Sequence, residues 1–271
     1  MPLGNNSKYE KLMQNGKALL DQKSYAQAAV AFQQAAEAKP DSFEAFLELG
    51  KTFSRAGDSD RAMRSFFDSL RVKPKNPETR CELGLVMMRS GNWDEAGGQF
   101  KQALDMVPTD NAARANYATC VEHLGYVDEA VEQFKIVATA QPRSFDALYN
   151  YAVALQLKGE IEQSADYFKK SLAIDPNNSL AYMGLGKCFI ARKDYKNAAL
   201  IEKRAIQLFP NNHLAYIALG DAYEGLGLKS DSLEAYRKAI QISPKDPVCK
   251  LQLEKMLKQK TASAPGALST R

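Results

Sequence analysis

The sequence predicts an all-α solenoid of seven stacked helix-turn-helix units, and three observations predict it. Seven prolines, Pro40, Pro74, Pro108, Pro142, Pro176, Pro210 and Pro244, recur every 34 residues without a slip. A fixed period of roughly 20 to 50 residues marks a solenoid or array, and one near 34 points to paired helices. With the proline set at position 32, small residues form columns: position 8 reads Gly16, Gly50, Gly84, Ala118, Ala152, Gly186 and Gly220. Position 20 reads Ala28, Ala62, Ala96, Ala130, Ser164, Ala198 and Ser232. Position 24 is the third signal, aromatic as Phe32, Phe66, Phe100, Phe134, Phe168 and Tyr236 and broken only by Glu202. Small columns facing an aromatic column describe two helices packed at close range, ridge into groove.

The units run 9–42, 43–76, 77–110, 111–144, 145–178, 179–212 and 213–246. In each, a first helix ends at a turn, seen as Ala56-Gly57-Asp58, Ser90-Gly91-Asn92, Leu124-Gly125 and Lys158-Gly159-Glu160, where glycine supplies the left-handed residue that stops a helix. The second helix stops near the proline, which lacks a donor and disfavours helix in the residue before it. Residues 247–260 predict a final unpaired helix, with Leu253, Met256 and Leu257 inward and lysines outward, the solvating cap such stacks need. Residues 1–8 and the small, polar 261–271 are expected to be disordered. Within the columns, Asn15, Arg80 and Arg114 replace large apolar residues. Glu202 is expected to loosen the joint between the sixth and seventh units unless its carboxylate reaches solvent, Lys203 or Arg204.

Residues 9–246 resemble the tetratricopeptide repeat family, whose small residues, aromatics and closing proline recur in all seven units. The resemblance implies a right-handed superhelical solenoid in which the first helix of each unit lines a concave face. Positions 2, 5, 6, 9, 12 and 13 share one stripe of that helix, being separated by threes and fours. In the early repeats this stripe is charged: Glu44, Glu48, Lys51, Arg55, Glu78, Glu82 and Arg89. In the later ones it is apolar, with Tyr149, Val153, Leu157, Leu180, Met183, Ile190, Leu214 and Ile217, and Lys187 among them. Soluble monomers rarely expose a contiguous apolar patch of more than a few hundred square ångströms, so a partner segment is expected to cover it. Tyr149 and Ile190 adjoin packing columns and are the members of the stripe closest to a core register. Asn116 and Asn150 both hold position 6, and their amides resemble two rungs of the asparagine ladder by which family members grip a peptide backbone. The carboxylate clamp of chaperone-binding relatives is missing, because its positions read Met13 and Lys17.

Charge and chemistry narrow the function. Residues 247–271 hold five Lys or Arg against one Glu, a net of +4 that equals the charge of the whole chain, so the repeats are neutral. A nucleic-acid binder is expected to carry a recurring basic stripe on its body, and none recurs, so nucleic acid is not an expected partner. No stretch of about 18 apolar residues predicts membrane insertion, and the first residues lack the pattern of an export signal. Cys120 and Cys188 share position 10, a small-residue packing column, and Cys81 and Cys249 stand at no metal-ligand spacing. A reduced, cytoplasmic location is expected. The only histidines, His123 and His213, have no partner histidine four residues away, and no phosphate loop or nucleophile elbow is present. Neither an enzyme nor a cofactor is therefore expected. The resulting expectation is a non-catalytic adaptor or scaffold that binds a protein or peptide segment in its groove. Two alternatives stay open: a self-associating scaffold that coats a cellular structure or organelle, as some bacterial members of the family do, and a substrate-docking subunit of an enzyme complex.

Overall fold

The computed structural model describes residues 3–248, 250–252 and 254. These residues form helices and turns with no strand, and the helices come in consecutive antiparallel pairs. The pairs are α1 (Leu3–Asp21) with α2 (Tyr25–Ala38), α3 (Phe43–Arg55) with α4 (Ser59–Val72), α5 (Pro77–Arg89) with α6 (Trp93–Met106), and α7 (Asn111–His123) with α8 (Val127–Ala140). They continue with α9 (Phe145–Lys158) and α10 (Ile161–Ile174), α11 (Ser179–Ala191) and α12 (Tyr195–Leu208), and α13 (His213–Gly225) and α14 (Lys229–Ile242). Two compact units divide between Ala140 and Gln141.

Each pair closes around the columns seen in the sequence. The rings of Phe32, Phe66, Phe100, Phe168 and Tyr236 are fully buried. A Cβ placed on Gly16, Gly50 or Gly84 would lie 2.5 to 2.8 Å from the ring of Phe32, Phe66 or Phe100, so only a residue without a side chain lets these helices approach. The position-20 residues Ala28, Ala62, Ala96, Ala130, Ser164, Ala198 and Ser232 are all fully buried opposite. Their two serines keep the column by donating to carbonyls, Ser164 to Ala152 and Ser232 to Gly220, each at 2.8 Å.

The ends of the helices follow local chemistry. Gly57, Gly91, Gly125, Gly159 and Gly227 take φ values of 74° to 87° at the intra-repeat turn. In the first and sixth repeats the same position is Lys23 and Lys193, at 58° and 59°, a left-handed conformation that costs an L side chain about 1–2 kcal/mol. Two residues after each of the first six repeat prolines, Ser42, Asn76, Asp110, Ser144, Asn178 and Asn212 cap the next helix, accepting backbone N–H bonds at 2.9 to 3.3 Å. The arginines that depart from the consensus find partners at the same junctions. Arg80 donates to the Pro74 carbonyl and to Gln99, and Arg114 donates to the Pro108 carbonyl and to Gln133.

One expectation needs correction. Residues 3–8, read as disordered, continue α1, since no proline or turn signal interrupts the backbone ladder between Asn5 and Tyr9. At the other end residues 247, 248, 250–252 and 254 are helical, and the expected cap's Leu253, Met256 and Leu257 and the tail 261–271 lie outside the described residues.

Candidate functional site

The charged stripe of the first unit is largely occupied with itself. Lys51 of α3 donates to Glu78 of α5 at 2.6 Å and to Glu48 at 3.4 Å, which ties neighbouring repeats together. Arg89 donates to the Ser54 hydroxyl, and Glu44 accepts from the capping Ser42 hydroxyl at 3.1 Å. Burial raises the Glu82 carboxyl above its ordinary range, against which the charges of Lys51, Arg55 and Arg89 act. A depression of about 770 Å³ also lies along α2, α3 and α4, lined by Tyr25, Val30, Phe53 and Arg61. Its Arg61 is already engaged, donating to Asp58 at 2.6 Å and stacking 4.5 Å from the Phe53 ring.

The apolar stripe of the second unit divides into three parts. Tyr149 and Val153 of α9 are half-buried and pack on the core around Phe168, with the Tyr149 ring edge-on to it at 5.8 Å. Leu157 and Leu180 are exposed, at 56% each, and do not line the cavity on which the others meet. Met183, Lys187, Ile190, Leu214 and Ile217 do converge, with Ala191, Ala218, Asp221 and Val248, around a cavity of about 310 Å³ between α11 and α13. Met183 and Ile217 form buried walls, Leu214 stands 46% exposed at the mouth, and Ile190 is half-buried. Asn212 sets the geometry from both sides, because its Oδ1 caps α13 while its Nδ2 donates to the Met183 sulfur at 3.0 Å. Asn116 on α7 and Asn150 on α9 are half-buried, and neither lines this cavity.

The floor of this cavity is Glu202 of α12, at the place an aromatic ring holds in the other repeats. It reaches neither solvent nor Lys203 nor Arg204. The side chain is fully buried, and both carboxyl oxygens lack a hydrogen-bond partner. A Cβ on Gly186 would sit 2.0 Å from Oε1, so the carboxyl occupies the slot across from glycine that elsewhere takes the ring. Burial pushes its pKa up to about 9; the charge of Lys187 opposes this shift and that of Asp221 adds to it. Asp221 itself accepts the Tyr236 hydroxyl at 2.6 Å. Sequence reasoning saw Glu202 only as a weak joint and missed that it ends a pocket.

The profile of the tetratricopeptide repeat family matches residues 13–77, 81–141, 124–179, 176–213 and 214–246. The chain belongs to the tetratricopeptide repeat family. Solved tetratricopeptide repeat structures agree in fold. One from Parabacteroides merdae is 16% identical, with a TM-score of 0.68 over 93% of this chain and 99% of that one. The C-terminal part of a repeat protein from Cytophaga hutchinsonii is also 16% identical, with a TM-score of 0.70 over 89% of this chain and 99% of that one. YrrB, a tetratricopeptide repeat protein with an unusual peptide-binding site, is 18% identical, with a TM-score of 0.63 over 69% of this chain and 96% of that one. Comparison with curated proteins finds no match. Tetratricopeptide repeats serve protein–protein interaction, and groups suited to chemistry sit here in packing roles: Cys120 and Cys188 are buried, and the His123 ring stacks on Trp93 at 3.8 Å. Among the described residues no helix is long and apolar enough to cross a membrane.

Proposed function

We propose that the chain is a non-catalytic adaptor that holds a segment of a partner protein along the first helices of its repeats, anchored in the pocket between α11 and α13. The observation that carries this reading is the convergence of Met183, Ile190, Leu214 and Ile217 on one cavity with its mouth open at Leu214. Removal of apolar side chains from water in such a cavity supplies the favourable term for binding. Exposed Leu157 and Leu180 extend the apolar contact along α9 and α11. Asn116 and Asn150 each offer an amide that donates to and accepts from one peptide unit, which adds grip without sequence preference. The peptide-binding site of YrrB, a protein of the same fold, supports this use of stacked repeats.

The test is affinity capture from native lysate with variants. Leu214→Glu places a charge at an exposed position of the mouth; it abolishes capture and leaves the helical circular dichroism intact. Asn116→Ala with Asn150→Ala weakens binding by about 0.5–1.5 kcal/mol for each hydrogen bond lost. Capture persists in salt that strips a phosphate-backbone ligand, since counterion release is not its source. Partners that survive Leu214→Glu, or that leave on raising salt alone, would move the working surface to Glu44, Lys51, Arg55 and Arg89.

A further inference from the structure

The α11–α13 pocket ends on an acid with nothing to bind. Resting on the adaptor reading above, we propose that this pocket recognises a basic side chain of the partner segment, its aliphatic stem between Met183, Ile190, Leu214 and Ile217 and its cationic head on the carboxylate of Glu202.

Four features of the site support this chemistry. Both Glu202 oxygens, on a residue that lines the cavity, are buried and lack a hydrogen-bond partner, and a guanidinium carries parallel N–H donors spaced for such a pair. The walls are apolar where a stem passes, and a basic side chain is an apolar stem with a charged end. The facing charges are Lys187 of α11 and Asp221 of α13, so with Glu202 ionised the site holds two carboxylates against one ammonium. One incoming cation balances it. On α12 itself, Lys203 lies over the Tyr223 ring and Arg204 donates to Gln207, so the basic neighbours in sequence are engaged elsewhere.

Binding then moves a proton. Burial keeps Glu202 in its acid form at neutral pH. A cation beside it favours the carboxylate, so docking releases the carboxyl proton to buffer as the ion pair forms. Fluctuation of the carboxyl toward the cavity needs no backbone change, because it is the end of a flexible chain.

The experiment is calorimetry at pH 7 in two buffers of different ionisation enthalpy, with the peptide acetyl-Leu-Leu-Arg-Leu-Leu-amide and its neutral citrulline counterpart. The arginine peptide binds at least about tenfold more tightly than the citrulline peptide, as a charge-assisted bond in a buried site should. It also releases close to one proton. Glu202→Gln, which keeps shape and loses charge, brings the arginine affinity down to that of citrulline and ends the proton release. Glu202→Phe restores the ring of the other repeats, fills the pocket and removes binding of both peptides while raising the melting temperature. Equal affinity for the two peptides, or binding of neither, overturns the inference. If Leu214→Glu still abolishes capture in either case, the adaptor reading stands without it.

Discussion

Glu82 in the first unit and Glu202 in the second are both acids drawn into the fold, and they meet opposite treatment. Glu82 is half-buried among Lys51, Arg55 and Arg89, and its stripe neighbours Lys51 and Glu78 form a 2.6 Å ion pair between repeats. Glu202 is fully buried against Gly186 with no partner for either oxygen. A buried polar group left unpaired costs about 1–3 kcal/mol, whereas a satisfied one is near neutral. Charge on a repeat surface is therefore no guide to binding by itself. Where charges answer one another the surface is complete, and where one goes unanswered at the end of an apolar cavity the fold keeps a place for something else.

The largest effect that sharpens this contrast is on stability against pH. The folded chain holds the Glu202 proton up to about pH 9, whereas the unfolded chain releases it near the ordinary 4.5. The folded state therefore binds the extra proton between these values, and stability is full at the acid end and falls as pH rises through this window. At about 1.4 kcal/mol per pH unit the loss is on the order of 3 kcal/mol between pH 5 and pH 7. Thermal melts should show the wild-type chain losing stability over that range and Glu202→Gln losing much less. Parallel slopes would mean that the carboxyl finds a partner in solution.

A smaller effect contrasts two glycines at the same column. Gly50→Ala drives a Cβ to 2.5 Å from the Phe66 ring, which is locked in the core, and overpacking of this kind costs about 1–3 kcal/mol. Gly186→Ala meets only the end of the Glu202 side chain, which has an adjoining cavity of about 310 Å³ to enter. It should be neutral, or stabilising by up to about 1 kcal/mol through helix propensity. Denaturant midpoints of the two variants read the difference directly. Equal losses would deny that the sixth repeat is loosely filled.

Smaller again is the first unit's ion pair. Lys51 and Glu78 are partly exposed, so Glu78→Gln should cost about 0.2–1 kcal/mol at low salt and less in molar salt. A larger loss that salt does not reduce would make the charged stripe structural rather than solvated.

The fold was legible because its columns are set by sterics that repeat. Gly50 and Phe66 appear in sequence at the spacing that brings them into contact, and the same spacing recurs in other units. The capping residues Ser42, Asn76, Asp110, Ser144, Asn178 and Asn212 were not read from the sequence and emerge only from their hydrogen bonds in the fold. Of the apolar stripe, Met183, Ile190, Leu214 and Ile217 meet as the helical spacing suggests. Tyr149 and Val153 share that spacing but turn into the core, because the Phe168 ring reaches Gly184 of the next repeat and they close around it. Periodicity gives a side chain's angle around its own helix. It does not say how far the neighbouring helix covers that angle, and Glu202 could be recognised as a pocket floor only once the space left by the absent ring had coordinates.

That Glu202 is a buried acid held in reserve for a cation can be read from the carbon-13 shift of its carboxyl, assigned by loss of the signal in Glu202→Gln and followed with pH. The expected result is titration near pH 9 in the free chain and a carboxylate shift at pH 7 once the arginine peptide is bound. Titration near 4.5 in the free chain would contradict it.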